Sequence, residues 1–156
     1  YGMSMYPTQK VKEMGYDQIL WTDGYEHKYV QEIGTMNVFF VLGDKVVTPD
    51  ITQDTILQGV TRDSVITLLR EKGVTVEERP LSIDEIQAAF RAGQLREAFG
   101  TGTAASIAPI AALTYQGEKM TLPPIEEWEN AQWLKKELAD IRYGRKTDTH
   151  GWILHV

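Results

Sequence analysis

Apolar and polar positions along this chain follow two periods, and each change of period marks a change of element. Residues 3–14 carry a helical pattern that Gly15 stops, with Pro7 tolerable only near the first turn or at a kink. Residues 18–22 read as a short apolar strand, and Asp23-Gly24 turns it into a polar loop carrying His27. Residues 29–33 and 37–42 are further strands. Gly43-Asp44 folds the second of them onto residues 45–48 as a hairpin.

Helical spacing returns between Gly59 and Lys72, where Val65, Leu68 and Leu69 share one face and Gly73 supplies the stop. Residues 75–79 alternate as a strand. Ser82 followed by Glu85 is a capping box that opens a helix with Ile86, Ala89 and Phe90 inward, closed by Gly93. Residues 95–99 and 106–115 read as two strands on either side of a Gly/Thr-rich turn. Pro123-Pro124 precedes a last helix whose Trp128, Ala131, Leu134, Leu138 and Ile141 form an apolar stripe ending before Gly144. The tail, residues 151–156, is apolar enough to dock as a final strand. The chain therefore reads as one domain that alternates strands and helices, the α/β class.

Composition narrows the function more than the fold. At 156 residues, folding can bury roughly two-thirds of the unfolded surface, and 42% hydrophobic with 24% charged residues is the balance of a globular domain. A formal charge of -6 gives phosphate backbones and anionic membranes no overall attraction. No segment has the run of about 20 apolar residues that a membrane helix needs. The absence of cysteine excludes disulfides, zinc-thiolate sites and thiol nucleophiles, and fits a reducing cytoplasm. His27, His150 and His155 lack metal-ligand spacing. The four tryptophans are assigned to packing: Trp128 and Trp133 on the last helix, Trp21 in a strand, Trp152 in the tail. Tyr1 in place of an initiating methionine makes the start read as a cut.

Three turns have chemistry suited to an anionic, phosphorylated ligand. Glu32-Ile33-Gly34-Thr35-Met36-Asn37 lies between apolar strands, where Glu32 is either an exposed strand-edge acid or a buried one requiring a cationic partner such as a protonated pyridine nitrogen. Ile56-Leu57-Gln58-Gly59-Val60-Thr61-Arg62 joins a short apolar run to a helix and leaves the amides of Val60 and Thr61 free for an anion, or for ordinary capping by Thr61 or water. Arg62 reads as a solvated first-turn residue. In Phe99-Gly100-Thr101-Gly102-Thr103-Ala104-Ala105 two glycines would let backbone approach a ligand closely, unless the segment is simply a tight turn.

Taken in order, these segments resemble the branched-chain aminotransferases, pyridoxal-phosphate enzymes of fold type IV. The resemblance spans the chain: residues 15–21 with Trp21, the Glu32 to Asn37 run, Gly59 to Arg62, Phe99 to Ala104, and Tyr143-Gly144 with the tryptophan-bearing tail. It implies the α/β pseudo-barrel of the D-amino acid aminotransferase-like class. Residues 1–156 would then form the C-terminal large domain, with the small N-terminal domain and the Schiff-base lysine upstream of Tyr1. Residue by residue it implies that Glu32 pairs with the pyridine nitrogen of pyridoxal 5'-phosphate. Tyr1 would bond the cofactor's phenolic oxygen, and Thr35 would line the site. Gly59, Val60, Thr61 and Thr103 would hold the phosphate, and Thr103 and Ala104 would face the substrate carboxylate. Gln58 departs from the proline common in the family.

The implied reaction moves the amino group of leucine, isoleucine or valine to 2-oxoglutarate. The intact enzyme would be a homo-oligomer with no nucleic-acid or membrane partner, and the fragment alone inactive. A D-amino acid aminotransferase, an aminodeoxychorismate lyase, or a non-catalytic anion-binding or dimerisation module are the alternatives, and Thr35-Met36-Asn37 favours the branched-chain group.

Overall fold

A computed structural model describes residues 2–154, and its elements follow the hydrophobic pattern closely. Helix α1 (Gly2–Glu13) is followed by the strands β1 (Leu20–Thr22), β2 (Val30–Ile33), β3 (Asn37–Leu42) and β4 (Lys45–Thr48). Then come α2 (Val60–Glu71), β5 (Thr75–Glu78), α3 (Ile83–Arg91) and β6 (Leu95–Thr101). The chain continues through β7 (Ala108–Pro109), β8 (Ala112–Tyr115), β9 (Glu118–Thr121), a 3-10 turn at Ile125–Glu127, and α4 (Asn130–Arg142). The α/β expectation holds.

A five-stranded sheet, in the order β5-β4-β3-β6-β7, organises the rest. Only the β4 to β5 pair is parallel, and the connection between them is α2, because parallel neighbours need a crossover that a helix can supply. Strand β3 sits at the centre with every residue buried, as its unbroken Val38-Phe39-Phe40-Val41-Leu42 run requires. Phe39 stacks on Phe99 of β6 with ring centroids 5.3 Å apart. Helix α2 adds Val65, Ile66, Leu68 and Leu69 to the same core, and α4 adds Ala131, Leu134 and Ile141.

Glu97 ties α4 to that sheet. It lies in β6, 4% exposed, and its carboxylate accepts from the amides of Glu129, Asn130 and Ala131 and from Asn130 Nδ2. The amides at the start of α4 thus meet a negative charge where the helix dipole favours one.

Several expectations need correction. The apolar run 106–115 is two strands in different sheets, because Pro109 has no amide to extend the ladder and the chain departs after Ile110 N–H bonds the Ala98 carbonyl. A strand was missed at Glu118–Thr121, which pairs with β8 across a turn where Gln116 and Gly117 both have positive φ (48° and 81°). Of the tail, Gly151–Leu154 is not a strand; the Ile153 amide bonds Asp148 and His150 stacks on Trp152. His155 and Val156 lie outside the described residues. Trp128 precedes α4 in extended backbone rather than on the helix, and Ser82 caps α3 while Glu85 turns to Arg79 instead of closing the box. Pro7 lies inside α1, where it removes one helical donor.

Acid should loosen this fold. Backbone amides, that of Glu26 first, hold the Asp23 carboxyl below its ordinary value, and the Ile153 amide does the same to Asp148. Arg79 and then Lys45 depress Glu77, Arg91 depresses Glu118, and Lys136 with Arg145 depresses Asp140. Because these folded values lie below the unfolded ones, their stabilisation is present above about pH 4 and is lost as pH falls through the depressed values. Urea midpoints measured from pH 7 downward are expected to stay level and then drop below pH 4; a midpoint that rises with acid would contradict these pairings.

Candidate active site

Strand β2 ends and β3 begins on either side of Gly34 and Thr35, and the Ile33 and Met36 backbones exchange two 2.9 Å bonds across the turn. Gly34 adopts φ 56°, the left-handed region that favours glycine, and it lies against the flexible end of Gln18. Trp21 Nε1 donates to the Gly34 carbonyl at 3.0 Å. The turn is therefore pinned from outside.

Glu32, partly buried, leads into this turn, and its Oε1 accepts from the Leu57 amide at 3.0 Å. The Leu57 carbonyl accepts from Asn37 Nδ2 at 2.8 Å, and from the Gly59 amide at 2.9 Å. Helix α2 then opens at Val60 with no side-chain cap, since its N-cap is Gly59. Thr61 Oγ1 reaches the Gly102 carbonyl at 3.5 Å, and the Gly102 amide closes its own turn on the Ala105 carbonyl at 3.2 Å. The three segments singled out in the sequence are thus neighbours in space.

Thr35, Leu57, Thr103 and Ala104 stand on the wall of a cleft of about 1770 Å³, with Val11 of α1 and Leu113 of β8 among the residues completing it. Glu32, Gly59, Val60 and Thr61 are not on that wall; Glu32 meets it through the Leu57 amide and Thr61 through the Gly102 carbonyl, and Val60 is exposed. Tyr1 is outside the described residues.

The donor set suits a phosphate. Val60, Thr61, Thr103 and Ala104 contribute amides and a hydroxyl and no carboxylate, the Gly59 and Gly102 amides being engaged by the Leu57 and Ala105 carbonyls, and an uncapped helix start carries positive partial charge. Asp63 in the same first turn is exposed. Arg62 contributes no charge to the turn: it is 4% exposed, and its Nη2 donates to the Pro49 carbonyl and to Glu78, both at 3.0 Å. That overturns its reading as a solvated residue. An aliphatic stem long enough to cross the sheet edge, with a partner in β5, is what buries it.

Two of the glycines also have reasons other than ligand approach. A Cβ at Gly100 would lie 3.0 Å from Met36 Cε and 3.1 Å from Ile33 Cγ2, and one at Gly102 would lie 3.2 Å from Met36 Cγ. They admit Met36, which packs the turn to β6. Asn37 was not among the expected site residues. Its signal was a lone amide side chain opening an otherwise apolar strand. Among the described residues no His, Asp and Glu cluster could hold a metal ion, and no helix is long and apolar enough to cross a membrane.

Comparison with known proteins finds relatives along the whole chain. Branched-chain-amino-acid aminotransferase 2 of Bacillus subtilis is 42% identical over 156 residues, all of this chain and 43% of that protein. The chain thus spans less than half the length of such relatives. Among solved structures, the branched-chain amino acid aminotransferase of Thermobaculum terrenum in its pyridoxal-phosphate form is 34% identical with a TM-score of 0.69, covering 89% of this chain and 41% of that one. That of the archaeon Thermoproteus uzoniensis, solved with norvaline, is 26% identical with a TM-score of 0.74, covering 92% and 43%. The α/β fold is therefore that of the fold type IV aminotransferases. The pattern described as Amino-transferase class IV matches residues 1–113, and the chain belongs to that family.

Proposed function

We propose that this chain is the large, cofactor-binding domain of a pyridoxal-phosphate-dependent branched-chain amino acid aminotransferase, with the small domain and the Schiff-base lysine lying upstream. The observation that carries the reading is the contact of Thr61 with Gly102, which brings the uncapped start of α2 beside the Gly102 to Ala104 turn at a cleft edge. The substrates are leucine, isoleucine or valine and 2-oxoglutarate, in a cytoplasmic homo-oligomer that serves branched-chain amino-acid biosynthesis. The whole-chain likeness to enzymes of that name supports the substrate class, and the cysteine-free composition is compatible with the compartment.

Pyridoxal phosphate supplies an electron sink for the charge that develops at the α-carbon of the amino acid. The chain's own part is to hold and orient. The amides of Val60 and Thr61 bind the phosphate with the Thr103 hydroxyl, the Thr61 hydroxyl ties the helix start to the Gly102 carbonyl, and Gly59 leaves that start uncapped. Glu32 keeps the pyridine nitrogen protonated, because a carboxylate favours the cationic form of a neighbouring base. Thr103 and Ala104 receive the substrate carboxylate, Thr35 lines the site, and Tyr1 bonds the phenolic oxygen. Orientation of the reacting groups is a large share of such catalysis.

The full-length protein with leucine, 2-oxoglutarate and cofactor is expected to form glutamate, and residues 1–156 alone to form none above a protein-free cofactor control. Glutamate made by the fragment would show that a lysine within it does the chemistry, contrary to this reading. Activity of the full-length protein on D-amino acids, with none on leucine, would favour a D-amino acid aminotransferase.

A further inference from the structure

We propose that Asn37 is a positioning residue that, with Glu32, clamps Leu57 by its carbonyl and its amide and so sets the start of α2 in register with the carboxylate of Glu32; this rests on the cofactor reading above. The clamp has two jaws. Glu32 Oε1 takes the Leu57 amide at 3.0 Å and Asn37 Nδ2 holds the Leu57 carbonyl at 2.8 Å. Glu32 belongs to β2 and Asn37 to β3, either side of the turn that Trp21 pins. Leu57 itself is exposed and belongs to no strand or helix, so nothing regular in the backbone holds it.

Asn37 is built into the central strand of the main sheet. It is 5% exposed, it opens that strand, and its Cα partner across the sheet is Thr101, the last residue before the Gly102 to Ala104 turn. One residue therefore touches both phosphate elements: Leu57 and Gly59 through its side chain, and the Gly102 turn through its strand partner. Gly59 completes the fit. Its φ of -69° and ψ of 133° are open to any residue, yet a Cβ there would lie 2.2 Å from Asn37 Oδ1. The glycine at the helix start is thus demanded by Asn37, which lets the turn lie against the amide.

The consequence is a fixed distance between the two ends of one ligand. The Glu32 oxygen not used by Leu57 serves the pyridine nitrogen, while three residues after Leu57 the amides of α2 serve the phosphate. An aspartate at 37 has the same shape but no donor, and would set a second acceptor against the Leu57 carbonyl. The turn would then keep only the Glu32 bond and its own bond from the Gly59 amide to the Leu57 carbonyl.

The test uses N37D, N37A, G59A and the N37A/G59A double variant of the full-length protein, with pyridoxal phosphate titrated by absorbance and amide hydrogen exchange followed at Leu57. N37D is expected to bind the cofactor about ten-fold more weakly, the scale of one hydrogen bond to a positioned group, and to exchange the Leu57 amide faster. G59A should lower the urea midpoint, and N37A/G59A should regain it, since the Cβ occupies the vacated space. Cofactor affinity should stay weak in the double variant. That split separates positioning from mere packing. If affinity returns along with stability, or if N37D binds as tightly as the unmodified protein with unchanged exchange, the positioning role is overturned and the cofactor reading stands. An unmodified full-length protein that takes up no pyridoxal phosphate overturns the cofactor reading, and this inference with it.

Discussion

Replacing Glu32 by glutamine in the full-length protein is expected to lower kcat by roughly 10²–10³-fold, the scale on which a single preorganised electrostatic group acts at a reacting centre. The substitution is chosen because it separates two jobs. Glu32 Oε1 accepts from the Leu57 amide at 3.0 Å, and a glutamine carbonyl can accept the same bond. What glutamine lacks is charge. A neutral amide does not favour the protonated pyridine nitrogen, so the ring would withdraw electrons less well while the turn before α2 stays in place. Substrate binding depends on other residues, so KM should change far less than kcat. E32A removes the charge and the bond to Leu57 together, and should weaken cofactor retention as well as turnover. A glutamine variant with the original kcat would mean that Glu32 serves the turn alone.

Substituting Glu97 by alanine is expected to destabilise the fold by roughly 1–3 kcal/mol, because the buried Ala131 amide and two part-buried amides at the start of α4 lose their acceptor at once. The amides of Glu129, Asn130 and Ala131 all end on this carboxylate, at 3.0, 2.9 and 2.8 Å. Water in the cavity of about 330 Å³ that Glu97, Glu129 and Asn130 line can serve the first two amides, but it cannot readily serve that of Ala131, which is 2% exposed. Glutamine at this position keeps one oxygen but turns an NH2 group toward donors, so it should recover only part of the loss. Urea denaturation, comparing midpoints at constant slope, measures the difference. A loss under 1 kcal/mol would show that α4 is held by its apolar stripe and not by this cap. Catalytic effects should be indirect, because neither Glu97 nor α4 lines the cleft.

The regular elements were legible because each is local in cause. The period of 3.6 in residues 60–71 and the unbroken apolar run of β3 need no partner to be recognised. The run 106–115 was misread for the opposite reason. Its residues are uniformly suited to strands, and only the choice of neighbour, Ala98 for Ile110 and Leu122 for Ala111, divides it between two sheets. Arg62 shows the same limit at one side chain, since a long cation at a helix start is ordinarily solvated unless a carbonyl and a carboxylate stand within reach.

For the candidate site, sequence order by itself determined the three segments, their residue types and the family they resemble. Amide-rich turns, a carboxylate between strands and the run of glycines are covalent facts, and their joint occurrence is specific. Only the tertiary structure decided what each group touches. Gly100 and Gly102 make room for Met36, Gly59 makes room for Asn37, and Glu32 spends one oxygen on Leu57. Such assignments depend on contacts between residues 20 or more positions apart, as Asn37 and Leu57 are. A glycine required by a neighbour's side chain and a glycine required by a ligand are identical in sequence, and they differ only in which atom lies where the Cβ would be.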